Sequence, residues 1–435
     1  MTNFTYSAAA LDRLQNADSE IFNALMREES RQSEGVELIP SENYCFPEVY
    51  ALLGSVFNNK YSEGYPGRRY YGGQENTDAV ETLARERAKT VFRAEHANVQ
   101  PLSGCPMNEA VYFGLLEPGD VILGMELSHG GHLSHGHPVT NMAKIFKFAR
   151  YRTEIPSGLI DLDKVRKVAQ ETKPKLIVCG HSSYPREYDY KGFRKIADEV
   201  GALLMADVSH LGGLIAGGAL KNPMDFGFDV VTTTTHKSLR GPRGGMILCK
   251  KKHAAAIDKS VFPGMQGGPH MHAVAAIATT LKLVQTDAYK TYAKQVLANA
   301  QAFAKELLDG GAHLVTGGTE NHLIVINTAT GFGITGDIAE KALDRVGITL
   351  NKNVIPDDPN PPMKPSGIRF GTPAATSRGM REPEMKQLAN VMLQVLRAPN
   401  DDALLDKLHG EIRVLCKKFP VPGLENEKTK YGAGG

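Results

Sequence analysis

The stretch Asp229–Gly245 reads DVVTTTTHKSLRGPRGG, and it indicates the architecture of this chain. Its β-branched run, Val230 to Thr235, is typical of a buried strand, because branched side chains are stiff and pack well on a pleated surface. Lys237 follows at the carboxyl end of that strand, the edge at which ligands bind in open α/β sheets. A lysine held there is placed to form an imine with an aldehyde cofactor. The alternative interpretation is a surface lysine that simply follows a strand.

A second strand-like run ends in a carboxylate. Residues 202–207 read ALLMAD, and Ser209 and His210 follow shortly after Asp207. A carboxylate at a strand end commonly caps the next segment. Beside a pyridine cofactor it has another role, because it pairs with the ring nitrogen, keeps that nitrogen protonated and so maintains the ring as an electron sink. Asp207 and Lys237 lie about one β-α unit apart.

Phosphate-binding chemistry is also present. Ser103, Gly104 and Cys105 follow the short segment Asn98 to Leu102 and precede a helix predicted from Asn108. Exposed N–H groups at a helix N-terminus, together with a hydroxyl group, suit a phosphate. Ser-Gly alone is weak evidence, because it is also an ordinary turn.

Taken in order, these features resemble the serine hydroxymethyltransferase family of pyridoxal-phosphate enzymes. The resemblance extends from about Leu14 to about Pro399, and chance agreement of all its segments is not credible. The matching segments are ELIPSEN (Glu37–Asn43), NKYSEGYPGRRYYGG (Asn59–Gly73), HGGHLSHG (His129–Gly136), KPKLIVCG (Lys173–Gly180), VVTTTTHKSLRGPRGG (Val230–Gly245), FPGMQGGP (Phe262–Pro269) and SGIRFGTPA (Ser366–Ala374).

The resemblance implies an α/β protein of the pyridoxal-phosphate-dependent transferase fold type I. We expect an N-terminal helical arm (1–35), a large domain with a mostly parallel seven-stranded sheet (36–286), a smaller C-terminal α+β domain (287–420) and a disordered tail (421–435). Short apolar runs that alternate with helical patterns support the β-α units. The predicted strands are 120–124, 176–180, 203–207, 230–235, 245–249 and 322–328, and the predicted helices include 189–200, 337–346 and 382–397.

The resemblance further implies pyridoxal 5'-phosphate, bound to Lys237 as a Schiff base, with Asp207 at the ring nitrogen and His236 before the lysine. The other residues expected around this cofactor are Ser103, Gly104, Cys105, His132 (stacked on the ring), Ser182, His210 (near the phenolic oxygen), Thr234, Arg243, Tyr61, Gly267 and Gly268. The histidines at 129, 132 and 135 are also compatible with a metal site. No carboxylate or cysteine completes that set, so we predict no metal.

The substrate residues come from the same resemblance. Glu63 resembles the acid/base carboxylate that handles the substrate hydroxyl proton, although it is also readable as a solvated loop residue paired with arginine. Tyr71 lies close to the reacting amino acid, with Tyr70 and Ser41 beside it. Arg369 resembles the arginine that grips the substrate carboxylate by planar, bidentate pairing. Tetrahydrofolate is expected as co-substrate, in contact with Leu127, Gly131, Leu133 and Asn353.

In the family the tyrosine-rich loop reaches the active site of a partner subunit. Tyr61, Glu63, Tyr71, Gly267 and Gly268 are the residues that match this pattern. The resemblance therefore implies a homodimer with shared active sites, and a tetramer stays open.

Several positions depart from the usual family pattern. Cys105 and Pro106 stand where the phosphate loop usually continues with serine and glutamine, and Pro106 withdraws one N–H donor. Ser209 replaces the usual alanine against the ring. His181 stands where a small residue is more usual, and Pro361 to Met363 replace a segment that often reads SPF. These changes bear on folate affinity and substrate preference more than on cofactor or fold.

Composition predicts an ordinary cytoplasmic enzyme. The chain has 435 residues, 42% hydrophobic and 23% charged, with a formal net charge of +2. This near-neutral balance gives no reason to expect nucleic acid or an anionic membrane as a partner. No signal peptide or apolar run long enough to span a bilayer is visible. The scattered cysteines form no CxxC pair and fit a reducing compartment, with Cys179 and Cys249 expected in buried strands.

The expected activity is the reversible interconversion of serine and glycine, with transfer of the one-carbon unit to tetrahydrofolate. The nearest alternatives share the fold and the lysine–aspartate pair: a threonine aldolase or an α-methylserine hydroxymethyltransferase. A non-catalytic, RNA-binding relative is a further alternative. Such a decayed site would be expected to lose one of the key residues, and all of them are retained here: Lys237, Asp207, His132, Glu63 and Arg369.

Overall fold

The strands coincide with the β-branched and apolar runs of the sequence. The computed structural model describes residues 8–424. Its strands are β1 Val36–Glu37, β2 Gly64–Tyr65, β3 Arg68–Arg69, β4 His96–Asn98, β5 Val121–Met125, β6 Lys147–Tyr151, β7 Leu176–Gly180, β8 Leu203–Asp207, β9 Val230–Thr234, β10 Gly245–Cys249, β11 Leu323–Asn327, β12 Ile348–Thr349, β13 Asn351–Asn353 and β14 Gly367–Gly371.

Helices occupy most of the remaining chain. Aspartates at several helix starts accept backbone N–H groups, as Asp18, Asp161 and Asp189 do. The helices are α1 Ala8–Ala17, α2 Ser19–Glu34, α3 Pro47–Leu53, α4 Glu75–Phe92, α5 Gly104–Leu115, α6 Leu162–Thr172, α7 Tyr190–Val200, α8 Gly212–Ala216, α9 Ala254–Lys259, α10 Met271–Leu283, α11 Asp287–Asp309, α12 Thr328–Phe332, α13 Gly336–Arg345, α14 Pro373–Ser377, α15 Glu382–Arg397 and α16 Asp402–Lys418.

The main sheet has seven strands in the order β4-β10-β9-β8-β7-β5-β6. β10 pairs antiparallel with both of its neighbours, and the pairs among β9, β8, β7, β5 and β6 are parallel. Asp207 pairs in register with Thr232, so the ends of β8 and β9 lie side by side. The predicted fold class, with a mostly parallel seven-stranded sheet, is confirmed.

Helices cover both faces of this sheet. One face packs against α4, α7 and α10, and the opposite face packs against α5 and α9. β7 and β9 are buried along their whole length. Strands covered on both faces read as continuous apolar or β-branched runs, which explains why both were visible in the sequence. The expected burial of Cys179 and Cys249 is confirmed.

The C-terminal region forms a second core. The antiparallel sheet β11-β14-β13 packs with α11, α13, α15 and α16. The predicted strand 322–328 and the predicted helices 337–346 and 382–397 correspond to β11, α13 and α15 with shifts of at most one residue.

The chain around residue 36 belongs to this second core. β1 pairs with β12, and Val36 and Leu38 are buried in the cluster of the smaller domain. Arg378 strengthens the connection, because its guanidinium group donates to backbone carbonyls of the segment that follows α2 and of α16. The structure therefore places residues 36–38 with the smaller domain, whereas the sequence boundary assigned them to the large one.

The predicted disordered tail starts too early. Val421 is buried against Tyr44 and Ala374, so residues 421–424 pack on the domain. Residues 425–435 of that tail, and residues 1–7 of the predicted arm, lie outside the described residues. Across residues 8–424, every helix is too short or too polar to cross a membrane.

Candidate active site

Asp207 lies at the end of β8, buried and bonded on both carboxylate oxygens. Oδ2 accepts hydrogen bonds from Asn108 Nδ2 at 2.8 Å and His135 Nε2 at 3.0 Å. Oδ1 accepts the backbone N–H of Ser209 at 3.0 Å. Burial alone raises the pKa of Asp207, but the hydrogen bond from His135 and the nearby histidines hold it well below its usual range. The carboxylate is therefore ionised.

The same polar network holds His132. Ser134 Oγ lies 2.7 Å from His132 Nδ1 and accepts a hydrogen bond from Asn108 Nδ2 at 2.8 Å. Asn108 Oδ1 accepts in turn from Thr232 Oγ1 on β9. Burial lowers the pKa of His132 to about 4, so its ring is neutral. Asn108, Ser134 and His135 were absent from the predicted site. A signal for His135 existed in the sequence, since it is the third histidine of HGGHLSHG.

The three histidines of this loop have different partners. His129 Nδ1 lies 3.0 Å from Thr153 Oγ1, His132 contacts Ser134 and His135 contacts Asp207. They do not converge on a common point, and no group of three or more potential metal ligands occurs between residues 8 and 424.

Lys237 lies three residues beyond the end of β9, close to Asp207. Burial lowers the pKa of Lys237 to about 8; the charge of Asp207 opposes this shift, and the charges of Arg369 and Arg243 add to it. Such a lysine holds an appreciable fraction of neutral amine near pH 7. His236 accepts the Gly244 N–H at 3.5 Å, which ties the loop, and burial lowers its pKa to about 3.

The start of α5 lies opposite the end of β9. Ser103 is the N-cap residue, but its side chain makes no capping hydrogen bond, so its hydroxyl and the first N–H groups of α5 remain available. A Cβ atom on Gly104 would lie 3.2 Å from Thr234 Cγ2, so the helix start and the strand end approach closely. The helix begins at Gly104 and not at the predicted Asn108, because Pro106 is tolerated in a first turn. Cys105 is exposed, and the pKa of its thiol is raised by partial desolvation and by the charges of Glu109 and Asp207.

Arg369 is buried on β14 of the smaller domain, with two of its three guanidinium nitrogens already bonded. Nε donates to Asn351 Oδ1 at 3.0 Å, and Nη1 donates to the backbone oxygen and the hydroxyl of Ser182 at 2.5 and 3.0 Å. Burial lowers its pKa to about 10, which leaves it charged at neutral pH. Asn351 was not predicted. Ser182, expected at the cofactor ring, contacts Arg369 instead, and its effect on the ring stays a prediction.

The segment before Ser41 packs on β14, the strand that carries Arg369. The preceding Pro40 packs against Gly371, where a Cβ atom would come within 2.8 Å of the Pro40 Cβ. Leu38 O accepts the Gly371 N–H at 2.7 Å, so the segment that leads to Ser41 runs beside β14. We call Asp207, Lys237 and Arg369, with their hydrogen-bond partners, the inner site.

The tyrosine-rich loop forms a separate cluster. Tyr61 OH donates to Glu63 Oε1 at 3.4 Å, and the rings of Tyr61 and Tyr71 are 5.2 Å apart in an edge-on contact. Gly267 and Gly268 lie against Glu63 and the Tyr61 ring, so closely that a Cβ atom on either would be 3.1–3.2 Å away. These residues, together with Tyr70, are called the outer loop group.

The outer loop group is open to solvent in the single chain. Tyr61, Tyr70 and Tyr71 are 56%, 73% and 50% exposed. Within residues 8–424, no hydrogen bond joins this group to Asp207, Lys237 or Arg369. The structure thus brings together the predicted residues of the inner site, and the predicted residues of the outer loop group make no hydrogen bond to them.

The predicted folate contacts lie on one loop and one strand. Leu127, Gly131 and Leu133 belong to the loop after β5, and Asn353 ends β13. Gly130 of the same loop and Asn353 line a common cavity, and Leu133 is exposed. Met363, in the segment after β13 that differs from the usual family pattern, is exposed as well.

Comparison with known proteins agrees with this geometry. The serine hydroxymethyltransferase family model matches residues 14–392. The chain belongs to the serine hydroxymethyltransferase family. It is 53% identical over 417 residues to a serine hydroxymethyltransferase of Desulfotalea psychrophila, covering 96% of this chain and 97% of the relative. It is 52% identical over 408 residues to that of Koribacter versatilis, covering 94% and 95%, and 49% identical over 417 residues to that of Acidobacterium capsulatum, covering 96% and 97%.

Family membership identifies the chain as a pyridoxal-phosphate-dependent transferase. It interconverts serine and glycine and uses tetrahydrofolate as the one-carbon co-substrate. The inner site fits this cofactor: an ionised buried carboxylate, a lysine with a lowered pKa and an uncapped helix start suit a pyridine nitrogen, an aldehyde and a phosphate respectively.

Proposed function

We propose that Lys237, Asp207 and Arg369 form the reactive centre for serine–glycine interconversion in this chain. The observation that carries the proposal is their proximity in one buried region, where the charges of Asp207 and Arg369 both shift the pKa of Lys237. Three charged groups are costly to bury together unless a bound ligand or a reaction needs them.

Arg369 orients the substrate. Nε and Nη1 of its guanidinium group are held by Asn351 and Ser182, which fixes the plane of the group and leaves Nη2 to meet a carboxylate. Fixing the carboxylate fixes the direction of the bonds at Cα, which is the positional part of catalysis. When bound, pyridoxal phosphate supplies the electron sink for cleavage of the Cα–Cβ bond of serine.

Asp207 and Lys237 handle the protons on the cofactor side. Asp207 stays ionised through its bonds to Asn108, His135 and Ser209, and it stabilises a proton on the ring nitrogen. Lys237 holds the cofactor covalently and gives or takes a proton at Nζ near neutral pH, as its pKa of about 8 permits. When the cofactor is bound, His132 would stack on the ring and His210 would lie near the phenolic oxygen. The remaining contacts would come from Ser103, Gly104, Cys105, Ser182, Thr234, His236 and Arg243.

The outer loop group completes the site of a partner subunit in a homodimer. Its exposed tyrosines form an aromatic patch beside a carboxylate, an arrangement typical of an interface and not of a free surface. Glu63 takes the proton of the serine hydroxyl, and Tyr70, Tyr71 and Ser41 shape the substrate pocket. Tyr61, Gly267 and Gly268 approach the phosphate of the neighbouring site. Leu127, Gly131, Leu133 and Asn353 contact the folate.

The proposed location of this enzyme is the cytoplasm. The supporting observation is that all five cysteines are free, including Cys105 at the surface, which fits a reducing compartment.

Conversion of serine to glycine, measured with and without tetrahydrofolate, tests the proposed function. We expect turnover to depend strongly on folate, and a control variant of an exposed lysine, Lys195→Ala, to behave like the unmodified enzyme. Folate-independent turnover, or a preference for threonine or α-methylserine over serine, would assign the chain to one of the alternative activities. In that case Cys105, Pro106 and residues 361–363, which differ from the usual family pattern, would be the first positions to replace with the family's residues.

A further inference from the structure

Three buried histidines from separate parts of the fold meet behind the inner site. His181 follows β7, His210 follows β8, and His322 precedes β11 of the smaller domain. They are 5%, 2% and 0% exposed. None of the steps proposed above uses His181 or His322.

The rings of these histidines continue a row of aromatic side chains. Tyr190 stacks on Tyr188 at 6.3 Å and 5°, and Tyr188 stacks on His181 at 5.7 Å and 9°. The ring centroids of His181 and His210 are 6.1 Å apart with 29° between the planes. The rings of His210 and His322 lie edge to edge, with centroids 5.5 Å apart and 21° between the planes. We call these five residues the ring column. It extends from the core beside α7 to the smaller domain.

A hydrogen bond fixes the last two rings relative to each other. His210 Nδ1 lies 3.3 Å from His322 Nε2. Burial, followed by the charges of Lys237 and Arg369, lowers the pKa of His210 far below its ordinary value, and burial lowers the pKa of His322 to about 3. Both rings are therefore neutral, and each carries one N–H and one lone pair. A proton lies between them only if their tautomers are matched, so the protonated nitrogen of His210 is coupled to that of His322.

His181 contributes differently. Neither of its ring nitrogens has a hydrogen-bond partner among the described residues, although the side chain is buried. Its ring contacts are with Tyr188 and His210, whose planes are within 29° of its own, and with Tyr184, which it meets edge-on. A small residue at this position, the usual choice in the family, would leave the His210 ring without this support.

We propose that His322 and His181 are positioning residues for His210, His322 by setting its tautomer and His181 by supporting its ring. The proposal rests on the proposed function only in placing His210 beside the cofactor. Because His210 faces the cofactor's phenolic oxygen in that function, a wrong tautomer would present a lone pair where an N–H is needed, or the reverse.

The wild-type holoenzyme provides the first test. Long-range ¹H–¹⁵N spectra of histidine-labelled enzyme report the tautomer of each buried ring, and we expect a single neutral tautomer for both His210 and His322. In His322→Phe a planar aromatic ring is kept and the hydrogen bond is lost. The His210 nitrogen shifts should then move toward the average of two tautomers, the absorption spectrum of the bound cofactor should shift, and kcat should fall about 2- to 12-fold, the range for one neutral hydrogen bond.

Matched variants separate positioning from folding. His322→Gln offers an amide near Nε2 and should recover most of the His210 signal and the cofactor spectrum. His181→Phe keeps the ring and should match the wild type, whereas His181→Ala should disturb the His210 shifts and kcat. His313→Gln, at an exposed histidine, is the control.

Unchanged His210 shifts in His322→Phe would overturn the role of His322. Loss of function in His181→Phe would overturn the stacking role, because it would mean that the nitrogens of His181 bind something. The tautomer measurement does not depend on turnover. If it holds in an enzyme without folate-dependent serine cleavage, the positioning stands and the proposed function fails.

Discussion

The inner site and the outer loop group contain residues of the same proposed reaction, yet they differ in completeness. In the inner site Asp207 and Arg369 are buried and have protein partners: Asp207 accepts three hydrogen bonds, and Arg369 donates to Asn351 and Ser182. Lys237 is half-buried, and its Nζ makes no hydrogen bond to the residues that the structure describes. In the outer loop group the tyrosines are at least half exposed. One region is finished within a single chain, and the other lacks a surface to cover it.

This difference shows which region needs side chains in fixed positions before the site can form. A buried carboxylate and arginine need preorganised partners, because an unpaired buried charge is costly. The partners come from five different segments of the chain, so the large domain and the smaller domain must both be folded before the inner site exists. The outer loop group needs only a stable loop, which Arg69 supplies through ion pairs with Asp78 and the buried Glu81.

The strongest test of this comparison uses mixed dimers, in which one subunit has a defective inner site and the other has a defective outer loop group. Lys237→Ala and Glu63→Gln should each lose at least about 10²-fold in kcat, since each removes a group that moves a proton. Mixed dimers of the two variants contain one intact site if the outer loop group serves the partner. Random pairing should then recover about one quarter of the wild-type activity.

A matched control uses two variants of the inner site. Lys237→Ala mixed with Asp207→Asn leaves every site defective, so no activity should return. Both mixtures are checked for heterodimers by native mass spectrometry with tagged chains. No recovery in the first mixture despite heterodimers would show that the two regions belong to one chain's site. Recovery in the control would show that the inner site itself is divided between subunits.

Arg369→Lys tests how much the guanidinium group of Arg369 contributes to serine binding. A lysine keeps the charge but loses the bidentate geometry and the bond to Asn351. The loss of one charge-assisted hydrogen bond corresponds to about a 10- to 150-fold rise in KM for serine. Cofactor affinity should stay within a factor of about two, and steady-state kinetics with a cofactor titration measures both. An unchanged KM would remove Arg369 from carboxylate binding.

The sequence revealed the inner site because its main residues follow strongly patterned strands. ALLMAD and VVTTTT are strands covered on both faces, and chain order alone places their ends at one edge of the sheet. Asn108, His135 and Asn351 escaped prediction because their roles depend on side-chain approach across 99, 72 and 18 residues of chain. Local pattern carries no information on such approaches.

The boundary near residue 36 failed for a related reason. β1 is only two residues long, and its partner β12 is more than 300 residues away in sequence. A two-residue strand has no alternation to recognise. The burial of Val421 was likewise not predicted, because a segment rich in proline and glycine is typical of a disordered tail even where one valine is buried.

The pKa of Lys237 provides a third test, on the electrostatics of the inner site. Burial favours the neutral amine, so the pKa falls to about 8 from the ordinary lysine value of about 10.4. Covalent uptake of pyridoxal phosphate by the apoenzyme needs the neutral amine. Its rate should rise about fivefold from pH 7 to pH 8 and level off above about pH 9. Stopped-flow absorbance records this profile. A rate that keeps rising to pH 10.5 would mean that Lys237 is solvated like a surface lysine.

The smallest expected effect concerns Cys105 at the start of α5. A thiol is a weaker hydrogen-bond donor than a hydroxyl, so Cys105→Ser should tighten pyridoxal phosphate binding by about 2- to 12-fold if this side chain faces the phosphate. Equilibrium dialysis against the apoenzyme measures the dissociation constant, and Cys45→Ser is the control because Cys45 lies outside the inner site. An unchanged affinity would limit the cradle to Ser103 and the backbone N–H groups. A tighter complex would show that the inner site, although complete in its charges, still has an unoptimised contact that the sequence alone had marked as unusual.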